Sequence, residues 1–86
     1  MQTLHELGLA VGARRRDLGL QQRYVADKAG ITPESLSRFE RGRLAELGTR
    51  KLLAVLAVLG MELDVVVSGQ SGLLDELRLE RRQAGN

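Results

Sequence analysis

Ten arginine and lysine side chains fall between Arg14 and Lys51, against five carboxylates in the same stretch, a local balance of +5. Outside it three basic residues meet six acidic ones, a balance of −3, so the chain as a whole carries only +2. Positive charge gathered in the middle of a near-neutral chain suits a surface that meets a polyanion such as nucleic acid. It suits an ordinary solvated face equally well, and charge alone leaves the two readings even. Other chemistries are thinly supplied. Cysteine is absent, which excludes disulfides and thiolate metal sites and suits a reducing cytosol. The one histidine, His5, would need several carboxylates beside it to hold zinc, and it reads more simply as a surface residue near the start of a helix. There is no catalytic triad, no metal cluster and no phosphate-cradling glycine loop, so neither an enzyme nor a cofactor is expected.

The scaffold that must carry these residues is small. Its 86 residues make one domain, and a domain of this size buries only about 60% of its unfolded surface. The stretch to Val11 lacks the basic n-region of a signal peptide. The longest apolar run, Leu52 to Leu59, is far short of the ~20 residues that span a bilayer. No membrane partner is expected.

Four helices are legible. Thr3 fits an N-cap, with Glu6 completing a capping box, and Leu4, Leu7, Val11 and Leu18 recur at roughly helical spacing until Gly19 ends the helix in the C′ position. Gly8 and Gly12 weaken this first helix by propensity. A second helix runs from Gln21 to Ala29, with Val25, Ala26 and Ala29 on one face and Gly30 as its stop. In the third, Thr32 fits the N-cap and Pro33 the N1 position, Leu36 and Phe39 form the apolar pair, and Gly42 closes it. Only about three residues, centred on Gly30, separate the second and third helices, which is a helix-turn-helix pattern. Gly48-Thr49 opens a fourth helix with Leu52, Leu53, Leu56 and Leu59, apolar nearly all round its second half and so expected at the centre of the core.

The period then changes. Met61, Leu63, Val65 and Val67 alternate with Glu62, Asp64, Val66 and Ser68, which predicts a strand. A lone strand leaves its backbone groups unpaired, and the economical solution is the same strand of a second copy, giving a symmetric dimer. A fifth helix is the other reading of this segment. Beyond a polar link, Leu73, Leu74 and Leu77 could form a short amphipathic helix to Arg82. The division expected is therefore 1–60 for the helical domain, 61–68 for the dimerising strand and 69–86 for the tail.

The run Leu20-Gln21-Gln22-Arg23-Tyr24-Val25-Ala26-Asp27-Lys28-Ala29-Gly30-Ile31, followed by Thr32-Pro33-Glu34-Ser35-Leu36-Ser37-Arg38-Phe39-Glu40-Arg41-Gly42, resembles the phage-repressor (Cro-like, XRE) helix-turn-helix family. Leu20, Gln22, Ala26, Ala29, Gly30, Ile31, Ser37, Glu40 and Gly42 fit its pattern, and Val25, Thr32 and Leu36 are close substitutes. The resemblance runs from about Leu7 to Gly60. It implies a mainly α fold, a four- to five-helix repressor-like DNA-binding domain with the C-terminal β-strand pairing across a dimer. It also implies a cytoplasmic, nucleoid-associated bacterial protein.

The resemblance assigns roles position by position. The third helix becomes the recognition helix in the major groove, with Thr32, Pro33, Glu34, Ser37 and Arg38 facing the bases. Arg38 could bond guanine O6 and N7, and Glu34 could accept from cytosine N4. Pro33 stands where the family often has a polar reader such as Gln, which removes one hydrogen-bonding group. Gln21, Gln22 and Arg23 at the start of the second helix, with Arg41 and Arg43 around Gly42, would hold DNA phosphates; Arg14 and Arg16 are weaker candidates. Arg15 and Glu40 match a family ion pair that orients the helices. Tyr24, exposed by its phase, could touch the DNA backbone or simply pack.

Leu59 to Val67 resembles the C-terminal strand of HipB-like antitoxins, where two subunits pair strands. Two functions follow: a homodimeric repressor on an inverted-repeat operator in double-stranded DNA, or an antitoxin that also neutralises a HipA-like kinase toxin. Leu73, Leu74, Leu77 and Leu79 separate them, since a partner could cover that apolar set or the chain's own core could.

Overall fold

A computed structural model describes residues 3–67. Four helices make up the regular structure of that stretch: α1 (Leu4–Asp17), α2 (Gln22–Ala29), α3 (Pro33–Glu40) and α4 (Thr49–Val58). Their ends sit where local chemistry puts them. The Thr3 hydroxyl accepts from the Glu6 backbone N–H at 3.1 Å, and the Thr32 hydroxyl accepts from that of Ser35 at 3.0 Å. Each bond satisfies one of the donors a helix start leaves open. Pro33 at the first turn of α3 gives up no bond the helix would have made. α2 stops at Gly30, which takes φ 75° in the left-handed region. From there Ile31 donates back to the Ala26 carbonyl at 3.0 Å, and the chain turns into α3 within three residues.

The core is the inward face of this arrangement: Val11 of α1, Val25, Ala26 and Ala29 of α2, Leu36 and Phe39 of α3, and Leu52, Val55, Leu56 and Leu59 on or just after α4. α1 packs on α3, α2 on both α3 and α4. Gly8 explains how closely α1 and α3 approach, because a Cβ there would overlap the Phe39 carbonyl. At the far end of α1, Arg14 Nε donates to the Leu59 carbonyl at 3.0 Å. That places a cation on the C-terminus of α4, where the helix dipole favours one.

The structure departs from the sequence reading at three points. Leu18 is exposed, because it is the C-cap residue and the chain has already left the phase of α1. Leu53 is exposed too: α4 turns Leu52, Val55 and Leu56 inward and leaves one side to solvent. Residues 61–67 form neither the fifth helix nor, in a single chain, a strand. After Met61 donates to the Leu56 carbonyl at 2.8 Å, residues 62–67 make no backbone hydrogen bond to the described residues. Ser68 and the tail helix expected between Leu73 and Arg82 lie outside the described residues.

Candidate nucleic-acid interface

α3 has two different ends. Its C-terminal end is held by α1 through a buried ion pair. Arg15 Nε donates to Glu40 Oε2 at 2.7 Å and a terminal guanidinium nitrogen to Oε1 at 2.9 Å, a bidentate fork. The other terminal nitrogen of Arg15 donates to the Leu20 carbonyl at 2.7 Å, and the Gln22 amide donates to Glu40 Oε1 at 3.0 Å. The side chains of Arg15 and Glu40 are only 13% and 3% exposed. No buried side-chain nitrogen or oxygen among the described residues lacks a partner. One carboxylate thus ties α1, the start of α2 and the end of α3 together.

The outward side of α3 is open. Thr32, Pro33, Glu34 and Arg38 are exposed and Ser37 is half-buried. The side chains of Glu34 and Arg38 make no hydrogen bond or ion pair to the described residues. Charged side chains at the surface with no partner among the described residues are open to a ligand, and Glu34 and Arg38 lie one turn apart on the same short helix.

Around this helix stand the candidate phosphate groups. Gln21 is the N-cap of α2, but its side chain makes no capping bond, unlike Thr3 and Thr32. The first backbone N–H groups of α2 are therefore open, with the positive end of the helix dipole behind them. The Gln22 side-chain amide is committed to Glu40, which leaves its backbone N–H as the group it can offer a ligand. Arg23 is exposed. Arg41 and Arg43 are exposed on either side of Gly42, where α3 unwinds; Arg41 Nε lies against the Ser37 carbonyl at 3.3 Å. Arg14 is engaged with the end of α4. Tyr24 is exposed, with Lys28 Nζ 5.7 Å from its ring centroid.

The residues singled out for dimerisation, Met61, Leu63, Val65 and Val67, are elsewhere. Met61 packs on the core, while Leu63, Val65, Val66 and Val67 are exposed, Val65 at 97%. Met61 to Asp64 form one wall of a groove of about 430 Å³ whose other wall is Thr3, Leu4, Leu7 and Ala10 of the first helix region. Sequence reasoning missed three links: the Gln22 amide on Glu40, Arg14 on the Leu59 carbonyl, and His5, whose Nδ1 is 3.2 Å from the Gly42 carbonyl oxygen. All three join residues more than fifteen positions apart, and residue type alone gives no signal for them. Among the described residues no cluster of His, Asp or Glu could hold a metal ion, and no helix is long and apolar enough to cross a membrane.

Comparison with known proteins agrees with this geometry. The helix-turn-helix family model matches residues 11–66. Among solved structures the chain is similar to the clp gene regulator ClgR from Corynebacterium glutamicum. The two are 31% identical and superpose with a TM-score of 0.63, over 96% of this chain and 82% of that one. No curated protein sequence matches it. The matched span takes in α2, the turn at Gly30, α3 and all of α4, and the chain belongs to the XRE-type helix-turn-helix family.

Proposed function

We propose that this chain is a DNA-binding transcriptional regulator, a repressor that binds an inverted-repeat operator as a homodimer. The observation that carries the reading is the division of α3: its inner side is locked by the Arg15–Glu40–Gln22 network, while Glu34 and Arg38 stand exposed without partners among the described residues. A helix fixed in angle with free polar groups along its outer side is suited to base readout in a major groove. In this reading Thr32, Pro33, Glu34, Ser37 and Arg38 face base edges. Gln21, Gln22 and Arg23 hold one phosphate run through the open start of α2, and Arg41 and Arg43 hold another. ClgR is titled a gene regulator, which supports the same assignment.

Dimerisation is the second part of the proposal. Residues 62–67 carry exposed apolar side chains and backbone groups with no partner among the described residues. Pairing with the same segment of a second copy satisfies both at once. The antitoxin reading shares the DNA-binding half and adds a kinase-like protein partner; the same exposed apolar segment is what keeps it in view. Co-purification of a kinase-like protein with the chain from its native host would separate the two.

The experiment that tests the main reading is selection of binding sites from a randomised duplex library. The selected sites should be inverted repeats with half-sites about one helical turn, roughly 34 Å, apart. Arg38→Ala should then cost about 1–3 kcal/mol on the selected site and much less on random DNA. Failure to enrich any repeat would remove sequence-specific binding. Equal losses on both DNAs would make Arg38 a phosphate contact.

A further inference from the structure

Between the start of α1 and the chain that follows α4 lies an apolar groove of about 430 Å³. Leu4, Leu7 and Ala10 line one side of it, Met61 and Leu63 the other. None of the five is buried: Leu63 is 44% exposed and the rest are half-buried. Leu4, Leu7 and Met61 rest on the core and still line open space. Among the described residues around the groove only Glu62 and Asp64 are charged, and both are carboxylates. Such a groove suits an apolar stripe that has cations beside it.

We propose that the occupant is this chain's own segment 73–81, docked as a short amphipathic helix. The segment lies outside the described residues, and its sequence carries the argument. On a helix of 3.6 residues per turn, Leu73, Leu77 and Leu74 fall within an arc of about 100°. Arg81 continues that stripe one turn on and Arg78 borders it, with Glu80 on the other edge and Asp75 and Leu79 on the far side. The leucines match the groove's apolar lining, and the two arginines match Glu62 and Asp64. The chain is long enough to return. The four steps from Leu63 to Val67 span at most about 14 Å, while the six from Val67 to Leu73 reach up to about 21 Å. The link between them, Ser68-Gly69-Gln70-Ser71-Gly72, is of the Gly/Ser type that imposes no direction. So short a tether keeps the segment at a high effective concentration beside the groove. Residues 62–67 of a second copy fit less well, because they would bring Glu62 and Asp64 up to the groove's own two carboxylates. Docked in this way, Leu73, Leu74 and Leu77 are closed to a kinase-like partner. The inference therefore bears on the antitoxin reading and is independent of DNA binding.

Hydrogen–deuterium exchange of the full chain tests the docking. Isolated helices shorter than about 12–15 residues are marginal in water, so protection of this segment requires packing. The amides of residues 74–81 should exchange at least about tenfold more slowly than those of 83–86. Ala10→Lys puts a long cationic side chain into the groove and should remove that protection, while the amides of α2 and α3 report that the domain is still folded. A second experiment decides should that variant fail to fold. The chain has no cysteine, so Ala10→Cys combined with Leu77→Cys offers one pair of positions to oxidise. Mild oxidation should close a disulfide within one chain, at a rate independent of protein concentration. Exchange of 74–81 as fast as that of 83–86 overturns the inference, and so does protection that survives in a folded Ala10→Lys. A disulfide that joins two chains instead of one puts a second copy's tail in the groove and overturns it as well.

Discussion

Removing the carboxylate of Glu40 should unfold much of this protein's margin of stability. Glu40→Ala strips two charge-assisted bonds from Arg15 and one from the Gln22 amide, at 2.7, 2.9 and 3.0 Å. The guanidinium it abandons is only 13% exposed and keeps a single partner, the Leu20 carbonyl. Breaking a buried pair on one side costs on the order of 3–5 kcal/mol, most of it the penalty of the charge left behind. Small domains hold about 5–15 kcal/mol in total, and each kcal/mol moves the melting point of a domain this size by roughly 4–8 °C. A fall of at least about 12 °C is expected, with a matching loss of DNA affinity as α3 loses its fixed angle. The assay is urea and thermal unfolding followed by far-ultraviolet circular dichroism, because the chain has no Trp and its one Tyr is exposed. Arg15→Met combined with Glu40→Leu should recover much of the loss, since apolar replacement of both partners removes the stranded charge. A cost below about 1 kcal/mol for Glu40→Ala would refute the reasoning, for the pair would then behave as a solvent-screened one.

Three further outcomes are expected. Arg43→Ala should reduce the slope of log affinity against log salt by about one unit with little change in sequence preference, measured by titration across a salt series. Gly8→Ala should lower stability by about 1–3 kcal/mol in urea unfolding although alanine is the better helix former, because its methyl must push α1 off the Phe39 carbonyl. Val65→Lys should yield monomers that bind DNA poorly; a wild type already monomeric in sedimentation at micromolar concentration, where K of about 1 μM corresponds to some 8 kcal/mol of association, would refute the dimer.

The parts of the fold that a sequence displays are those set by neighbours along the chain. Thr3, Thr32, Pro33 and Gly30 announce where helices begin and stop because capping is local, and Val25, Ala26, Leu36 and Phe39 announce a face because each short helix has one clear apolar stripe. Phase fails where the stripe closes on itself. α4 is apolar on most sides, so only the position of α2 decides that Leu52 is buried and Leu53 is not. The period of two after Gly60 is plain in the sequence, but residues 62–67 find no backbone hydrogen-bonding partner among the described residues. At the candidate interface Arg38 and Glu34 could be named from the resemblance. Gln22 could not be divided between a phosphate and Glu40, since an amide at a helix start serves either and the choice lies 18 residues away.

The two ends of α3 carry separate obligations. Its last turn is bound to α1 by the Glu40 network, the close approach at Gly8 and the His5 contact on the following loop. Its exposed positions Pro33, Glu34 and Arg38 bond to nothing among the described residues through their side chains. Substitutions at Glu34 and Arg38 break no side-chain hydrogen bond or ion pair to the described residues. If α3 reads bases as proposed, the helix can acquire a new operator preference by mutation without first acquiring compensating stability, and descendants of this scaffold can diverge in the sites they recognise while keeping one core.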